Sequence, residues 1–501
     1  MSADPMSPMS PMPADEVLAT LRALQAADLP VHGGRTLAYV YDSGLADADA
    51  LGLEALAQFA SSNALDPTAF PSLLRMENDL VAMAGALLDA PDGFAGSVTS
   101  GGTESILLAV LAAREGARQG VSAGEPAPGT QLAAGGTVRR GNIVLPVTAH
   151  AAFLKAAKYF GLEPRVVDVD HGTLRADPAA IAAAVDDDTV LLVASAPSYA
   201  HGVVDPVTEI AALAAERGIR CHVDACIGGW VLPHLDDTPP WTFAVPGVTS
   251  ISVDLHKYAY TPKGVSVLLH RTPELRRGHF FASADWPGYT MLNSTMQSTK
   301  SGGPLAAAWA VTHHIGTERY ARLARAAHDA TLEIAEAARG MEGLEVFAEP
   351  ASTLLALVTD GSCDVFTIAD EMLVRGWFVQ PQMTYRDLPP TLHLTLSAAT
   401  APSAGAFVDD LRQAVAAARD AGPVAVDPAL GQLLGALDPA ALDDAAFAQL
   451  LAAAGLAGEG GGIELPQRMA PVNALLDACP APLREALLLG VLDRLSRPTP
   501  G

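Results

Sequence analysis

Lys257 follows the short apolar run Ser250–Val253 in the stretch SVDLHKYAYTPKG, Ser252–Gly264. An amine at the end of a buried strand is expected to have its pKa lowered by desolvation and to become nucleophilic. Asp224 closes a second apolar run in HVDA, where a buried carboxylate needs a cation or several hydrogen bonds. His150 follows a third run, NIVLPV, Asn142–Val147. SGGTES, Ser100–Ser105, sets a glycine pair before a helical composition. Such a junction offers free backbone N–H groups and a helix dipole to an anion. Each has a plainer reading alone: a turn, a helix-capping Asp, a solvated lysine, a hydrogen-bonded histidine. Together, in the order anion loop, flat ring, acid, amine, they match what pyridoxal 5'-phosphate requires. That cofactor needs a phosphate cradle, a stacking group, a carboxylate for its pyridine nitrogen and a lysine for its aldehyde.

The elements that must position these groups alternate along the chain. Helical pieces at Ser105–Arg118, Ala151–Gly161, Pro178–Val185 and Thr208–Arg217 interleave with strand candidates. The strands are Asn142–Val147, Arg165–Val169, Val190–Ala194, Arg220–Val223, Ser250–Val253 and Val265–Leu269. Mostly apolar strands alternating with helices predict an α/β fold with a large, mostly parallel sheet covered on both faces. In such sheets ligands bind outside the carboxyl ends of the strands, where Asp224, Lys257 and His150 fall. A helix over Glu318–Arg339 opens a smaller C-terminal α/β pattern: LLALV, a helix at Val365–Arg375, WFVQ, TLHLTL and a helix at Ser403–Ala417. Four parts follow: an N-terminal leader and arm (1–50), a large domain (51–315), a small domain (316–422) and an Ala/Leu-rich appendix (423–501). Ser122–Gly141 reads as a loop, and GEGGG (Gly458–Gly462) breaks the appendix.

The totals narrow the class. The 501 residues are 50% hydrophobic and 17% charged, with a net charge of −25, so the chain is globular and has no electrostatic grip on nucleic acid or anionic membrane. Its four cysteines lack paired zinc spacing and read as thiols, with no metal expected. No apolar run approaches the ~20 residues of a membrane span, and the start MSADPMSPMSPMP lacks the basic and apolar regions of a signal peptide. A soluble cytoplasmic protein with a small-molecule substrate is the expectation.

The stretches TSGGTESILLA, AHAAFLKAAKYFG, SAPSYAHGVVDPVTEIAALA, HVDACIGGW and SVDLHKYAYTPKG resemble fold-type I pyridoxal-phosphate enzymes of the group II decarboxylase family. The resemblance is greatest to the sphingosine-1-phosphate lyase branch and runs from about Gly33 to Leu396. It implies the aspartate aminotransferase-like fold. It also implies that Lys257 binds the cofactor aldehyde, with His256 beside it, Asp224 pairs with the pyridine nitrogen, His150 stacks on the ring, and Gly102 and Thr103 hold the phosphate. Asn63 would lie near the cofactor. Thr299, Gly302 and Gly303, in QSTKSGG, would reach the phosphate from a neighbouring subunit, which makes the active unit a homodimer with shared sites. Tyr41 and Lys263 match positions that bind a substrate phosphate in the lyases.

Departures from that pattern bear on the substrate. The lyases usually read Asn-Pro-Leu-His-Pro where this chain reads NALDP, which puts Asp66 in place of a phosphate-binding histidine. A carboxylate beside an incoming phosphate is repulsive by about 1–4 kcal/mol at close range. Leu255 and Ser301 replace a threonine and a proline. The expected activity is carbon–carbon cleavage of an amine substrate, phosphorylated or β-hydroxylated. Amino-acid decarboxylation stays open as the alternative, and a cofactor-bound scaffold as a third reading. Tyr41, Tyr199, His201 and Lys263 are the candidates for proton transfer.

Overall fold

The computed structural model describes residues 11–120, 141–427, 434–453, 456–458 and 462–497. The expected loop at 122–140, most of the leader and the centre of GEGGG lie outside the described residues. The larger sheet has seven strands: β1 (Ala95–Thr99), β2 (Asn142–Pro146), β3 (Glu163–Val167), β4 (Thr189–Ser195), β5 (Arg220–Asp224), β6 (Val248–Asp254) and β7 (Ser266–His270). Their order is β1-β7-β6-β5-β4-β2-β3. Strands β2 to β6 pair in parallel, while β7 runs antiparallel between β1 and β6. The reversal follows from chain length, because residues 255–265 are too few to carry a helical crossover back to the start of β6. Strands β1, β2, β4, β5 and β6 therefore end along one edge, and that edge carries the site.

Apolar side chains fill both faces of the sheet. Leu80, Val98, Leu192, Val223, Ile251 and Val267 belong to one buried cluster. Ile106, Val110, Ile143, Phe153, Leu191 and Val193 form another. Each such side chain, fully buried, contributes about 1.5–3 kcal/mol.

Two strands differ from the expectation. The reading from Gly102 onward passes over β1, whose AGSVT has little apolar character. A Cβ on Gly96 would lie 2.7 Å from Val81 Cγ1 and 2.9 Å from Leu269 Cδ2, so close packing against helix Pro71–Leu87 requires glycine there. β3 begins two residues earlier than RVVDV. It is an edge strand paired only with β2, and its outward Glu163 and Arg165 blur the apolar signal.

The long helix Gly302–Arg339 starts well before Glu318 and kinks at Gly316, where φ is 67°. The second sheet is antiparallel, in the order Leu344–Val346, Leu354–Thr359, Thr391–Thr395, Gln380–Gln382. Helices Val365–Val374 and Ala404–Ala421 contribute to its core. WFVQ is mostly not a strand: Phe378 makes an isolated bridge to Thr36, and the regular strand begins at Gln380. The C-terminal segment is tied to this unit through Asp370, whose carboxylate accepts from Met469 N and Ala470 N and so caps helix Ala470–Ala478. Among the described residues no helix is long and apolar enough to cross a membrane.

Candidate active site

At the carboxyl edge of the sheet lies a cavity of about 690 Å³. Ser100–Glu104, His150, Tyr199, Asp224, Cys226, Asp254, His256, Lys257, Lys263, Tyr39, Tyr41 and Gln380 contribute to its lining. Gly101 and Gly102 follow the end of β1 and open helix Gly102–Arg118. A Cβ on Gly102 would lie 2.8 Å from both Asp254 Oδ2 and Cys226 Sγ, so only glycine leaves this turn open. Glu104 fixes the turn by accepting from Ser100 N at 2.6 Å, Ser100 Oγ at 2.8 Å and Met296 N at 2.8 Å. Its charge also favours the helix N-terminus.

Asp224 ends β5, and its Oδ1 accepts from Cys226 N at 3.1 Å and Ser252 Oγ at 3.3 Å. Both of these bonds fall on Oδ1, and neither on Oδ2. His150 stands at the cavity wall, with Nδ1 accepting from Ala152 N at 3.2 Å. That bond fixes the plane of its ring. His256 Nδ1 lies 3.0 Å from the carbonyl of Val265 and must donate to it, which leaves Nε2 on the Asp254 side at 3.6 Å.

Lys257 requires a correction. Its Nζ lies 2.9 Å from Asp254 Oδ2. Burial works against the charged amine, but the Asp254 carboxylate outweighs it, and the pKa is raised instead of lowered. Asp254 is itself 2% exposed. Burial opposes its ionisation, yet Lys257, His256 and the hydroxyl of Ser266 hold its pKa down. The sequence reading missed this acid, although it closes β6 as Asp224 closes β5 and the same strand-end argument applies to it. Cys226, Glu104 and Gln380 carried no comparable signal.

Lys263 reaches the cavity mouth. Its Nζ donates to Tyr39 O at 3.2 Å and His256 O at 3.3 Å and sits 5.0 Å from the Tyr41 ring centroid. Enclosure of the amine and repulsion from Lys257 lower its pKa to about 8. Tyr199 donates to Gln380 Oε1 at 2.8 Å and stacks on His393. Burial raises both the Tyr41 and Tyr199 phenols, so both stay protonated near neutral pH.

The remaining sequence candidates lie outside this lining. His201 is buried against Phe347, and burial lowers its pKa to about 4. Asp66 Oδ1 accepts from Thr68 N, Thr68 Oγ and Ala69 N, which closes an exposed turn. Asn63 Oδ1 accepts from Leu65 N and Lys300 N. Lys300 Nζ is engaged by Glu77 and Val98 O, while Thr299 is exposed. Gly302 and Gly303 are buried where the long helix meets helix Ala46–Phe59; a Cβ on Gly302 would lie 2.8 Å from Leu73 Cδ2. The four cysteines are free and buried.

The donor set fits pyridoxal phosphate. An open glycine turn at a helix N-terminus suits the phosphate. A strand-end carboxylate held through one oxygen, an anchored imidazole and a lysine complete the requirements. The family described as pyridoxal-dependent decarboxylase conserved domain matches residues 32–357. A second, described as pyridoxal-dependent enzyme, C-terminal putative HTH domain, matches 428–494. The sphingosine-1-phosphate lyase of Dictyostelium discoideum is 34% identical over 73% of this chain and 66% of its own length. A probable L-tyrosine/L-aspartate decarboxylase of Methanothrix thermoacetophila is 34% identical over 74% of this chain and 89% of its own. This chain spans about two thirds of the length of the curated lyases it matches. Among solved structures, a Burkholderia pseudomallei sphingosine-1-phosphate lyase superposes with TM-score 0.75 at 34% identity, covering 83% of this chain and 94% of that one. A Lactobacillus brevis glutamate decarboxylase, at 20% identity and TM-score 0.72, shares the fold. The chain therefore belongs to the pyridoxal-dependent decarboxylase family, with the fold-type I architecture and pyridoxal 5'-phosphate as its cofactor.

Proposed function

We propose that this enzyme is a carbon–carbon lyase that cleaves an amine bearing an anionic group, as the sphingosine-1-phosphate lyases it is similar to are named for doing. The observation that carries this reading is Lys263. Its amine sits at the cavity mouth bonded only to two backbone carbonyls among the described residues, and the nearby Asp254 carboxylate is already paired with Lys257. A cation so placed suits a substrate phosphate. Bound cofactor supplies the electron sink that takes the electron pair of the broken bond.

The chain's own residues do the rest. Lys257 holds the reactive amine, and Asp254 is the carboxylate placed to carry its proton. Asp224 offers an anionic acceptor to the cofactor ring, His150 a flat face, and Gly102 with Thr103 backbone donors. His256 lines the wall beside Lys257. Tyr41 and Tyr199 enter as neutral hydrogen-bond donors, since burial keeps them protonated. Amino-acid decarboxylation is the second reading, supported by the family and the Methanothrix relative. Among the described residues no arginine lines the cavity, which disfavours a substrate held through its carboxylate. Arg386, which is near in sequence to the small-domain strands, pairs instead with Asp168.

The proposal includes a cytoplasmic homodimer in which the loop carrying Thr299 and Lys300 reaches the cofactor of the second subunit, with the buried Gly302 and Gly303 seating the start of the long helix behind it. It also includes the four-part division at 50/51, 315/316 and 422/423, supported by the kink at Gly316. Product analysis by mass spectrometry tests the reaction, with phosphorylated long-chain bases, their unphosphorylated forms and amino acids as substrates and Lys257→Ala as blank. Release of an aldehyde with phosphoethanolamine is expected; loss of carbon dioxide would move the enzyme to the decarboxylases. Sedimentation showing an active monomer would remove the shared-site dimer.

A further inference from the structure

Behind Asp224 the sheet carries a line of polar side chains where an apolar core would be expected. His222 stands two residues before Asp224 on β5, so both side chains point to the same face. The register sets His222 opposite Ser250 and Asp224 opposite Ser252 on β6. His222 Nδ1 lies 2.9 Å from Ser250 Oγ, and Nε2 lies 3.1 Å from Ser252 Oγ. Ser252 Oγ donates to Asp224 Oδ1 at 3.3 Å. His222 and Ser252 are 0% exposed and Ser250 4%, so water does not substitute for any of these partners.

The directions of these bonds are determined. Burial lowers the His222 pKa to about 4, so the ring is neutral and carries one N–H. Ser252 has a single hydroxyl hydrogen, and it is directed at Asp224. Its oxygen must therefore accept from the imidazole, which places the hydrogen on Nε2. Nδ1 then accepts from the Ser250 hydroxyl. The Cys226 thiol also points at Ser252 Oγ, at 3.3 Å. Every donor in the line faces towards the carboxylate, and bonds aligned in this way polarise one another. The row ends on Oδ1 of Asp224, so it fixes the plane of that carboxylate and leaves Oδ2 as the oxygen turned to the ring of a bound cofactor.

We propose that His222 is a positioning residue that, acting through Ser252, holds Oδ1 of Asp224 in place and so sets the carboxylate to accept from the protonated ring nitrogen of the bound cofactor. Asp224 touches the cofactor; His222 acts only through its neighbours. The inference concerns the cofactor, and it stands whichever bond the enzyme breaks. It also explains a polar line in a β-strand that apolar packing would otherwise fill.

The test uses holoenzyme reconstituted with pyridoxal phosphate labelled with ¹⁵N in the ring, read by NMR, alongside a titration of cofactor affinity. His222→Phe and Ser252→Ala should move the ring resonance towards that of an unprotonated pyridine. Cofactor binding should weaken about tenfold, the equivalent of ~1.4 kcal/mol for a lost hydrogen bond to a charged group. kcat should fall while KM changes little. His222→Gln, whose amide N–H reaches towards Ser252, should keep the resonance near its wild-type position. Ser252→Ala removes one oxygen atom, so it decides the matter even where His222→Phe does not fold. A wild-type resonance in folded Ser252→Ala would overturn the proposal. So would a shift in His222→Gln as large as in His222→Phe.

Discussion

Lys257 Nζ and Asp254 Oδ2 lie 2.9 Å apart at the end of β6, with side-chain exposures of 20% and 2%. The Lys257 amine is thus held as an ammonium by a carboxylate three residues before it. A buried pair of this kind is tolerated because each charge satisfies the other, and removing one partner leaves the other stranded. Lys257→Met should therefore destabilise the cofactor-free protein by about 3–5 kcal/mol, and adding Asp254→Asn should recover part of that loss. Urea unfolding of the two single variants and the double variant measures the coupling.

The pH dependence of that difference has a definite sign. The raised Lys257 pKa contributes stability below its unfolded value, about 10.4, that is lost only as pH rises through the higher folded value. The lowered Asp254 pKa contributes stability above its unfolded value, about 3.9, that is lost as pH falls through the lower folded value. The gap between wild type and Lys257→Met should hold up to about pH 9. On the acid side it should begin to narrow once the stranded Asp254 of the variant, its pKa raised by burial without Lys257, takes up a proton. It should close on acidification below about pH 4, a trend that unfolding midpoints across that range would reveal.

Gly102→Ala should impair cofactor binding while sparing the helix. Alanine is the better helix former, but its methyl would sit 2.8 Å from Asp254 Oδ2 and Cys226 Sγ. Overpacking of this order costs about 1–3 kcal/mol, or roughly 5- to 150-fold in cofactor Kd if the whole cost falls on binding. A pyridoxal-phosphate titration of the apoprotein would show it, and circular dichroism should show unchanged helix content.

Lys263 separates two roles through the sign of its pH profile. With a pKa lowered to about 8, an anion-binding ammonium predicts that KM for a phosphorylated amine rises as pH increases through that value. A general base at the same position would give the opposite trend, with kcat rising. We expect the first, and expect Lys263→Arg to carry the loss to higher pH because guanidinium stays charged. Steady-state kinetics from about pH 6.5 to 9.5 reads both parameters.

Much of this was legible in the sequence. The strand β4 reads as the continuous apolar run VLLVA, the appearance of a fully buried parallel strand. Strands β5 and β6 mix polar with apolar residues and are marked by the acids that close them, Asp224 and Asp254. The antiparallel β7 was not, because apolar composition does not encode direction; the shortness of residues 255–265 does. Asp254 was visible in the quoted motif but not recognised, since its importance depends on Lys257 folding back onto it. His201 and Tyr199 share one sequence segment, yet the turn between them places the Tyr199 ring at the cavity and buries the His201 ring against Phe347. The C-terminal segment gave no chemistry from composition. In the structure its Arg468, Arg484 and Arg494 face Glu371, Asp477 and Asp444.

Asp66 bears on the substrate, since the resemblance read from the sequence implies a phosphate-binding histidine at its position. Its Oδ1 is already engaged by Thr68 N at 2.8 Å, Thr68 Oγ at 2.6 Å and Ala69 N at 3.3 Å. Those bonds hold its pKa below the usual carboxylate value, so it is a charged turn-cap and is fully open to solvent. An exposed charge beyond a Debye length, about 8 Å at physiological salt, is largely screened. Asp66→Asn keeps the acceptor that closes the turn and removes only the charge. KM for a phosphorylated amine should then stay within about threefold of wild type in physiological salt. A larger drop in KM, growing at low salt, would place the carboxylate against the substrate phosphate of a neighbouring subunit's cavity. The same salt series on Lys263→Met should show the opposite response, because removing the cation at the cavity mouth raises KM most where screening is weakest.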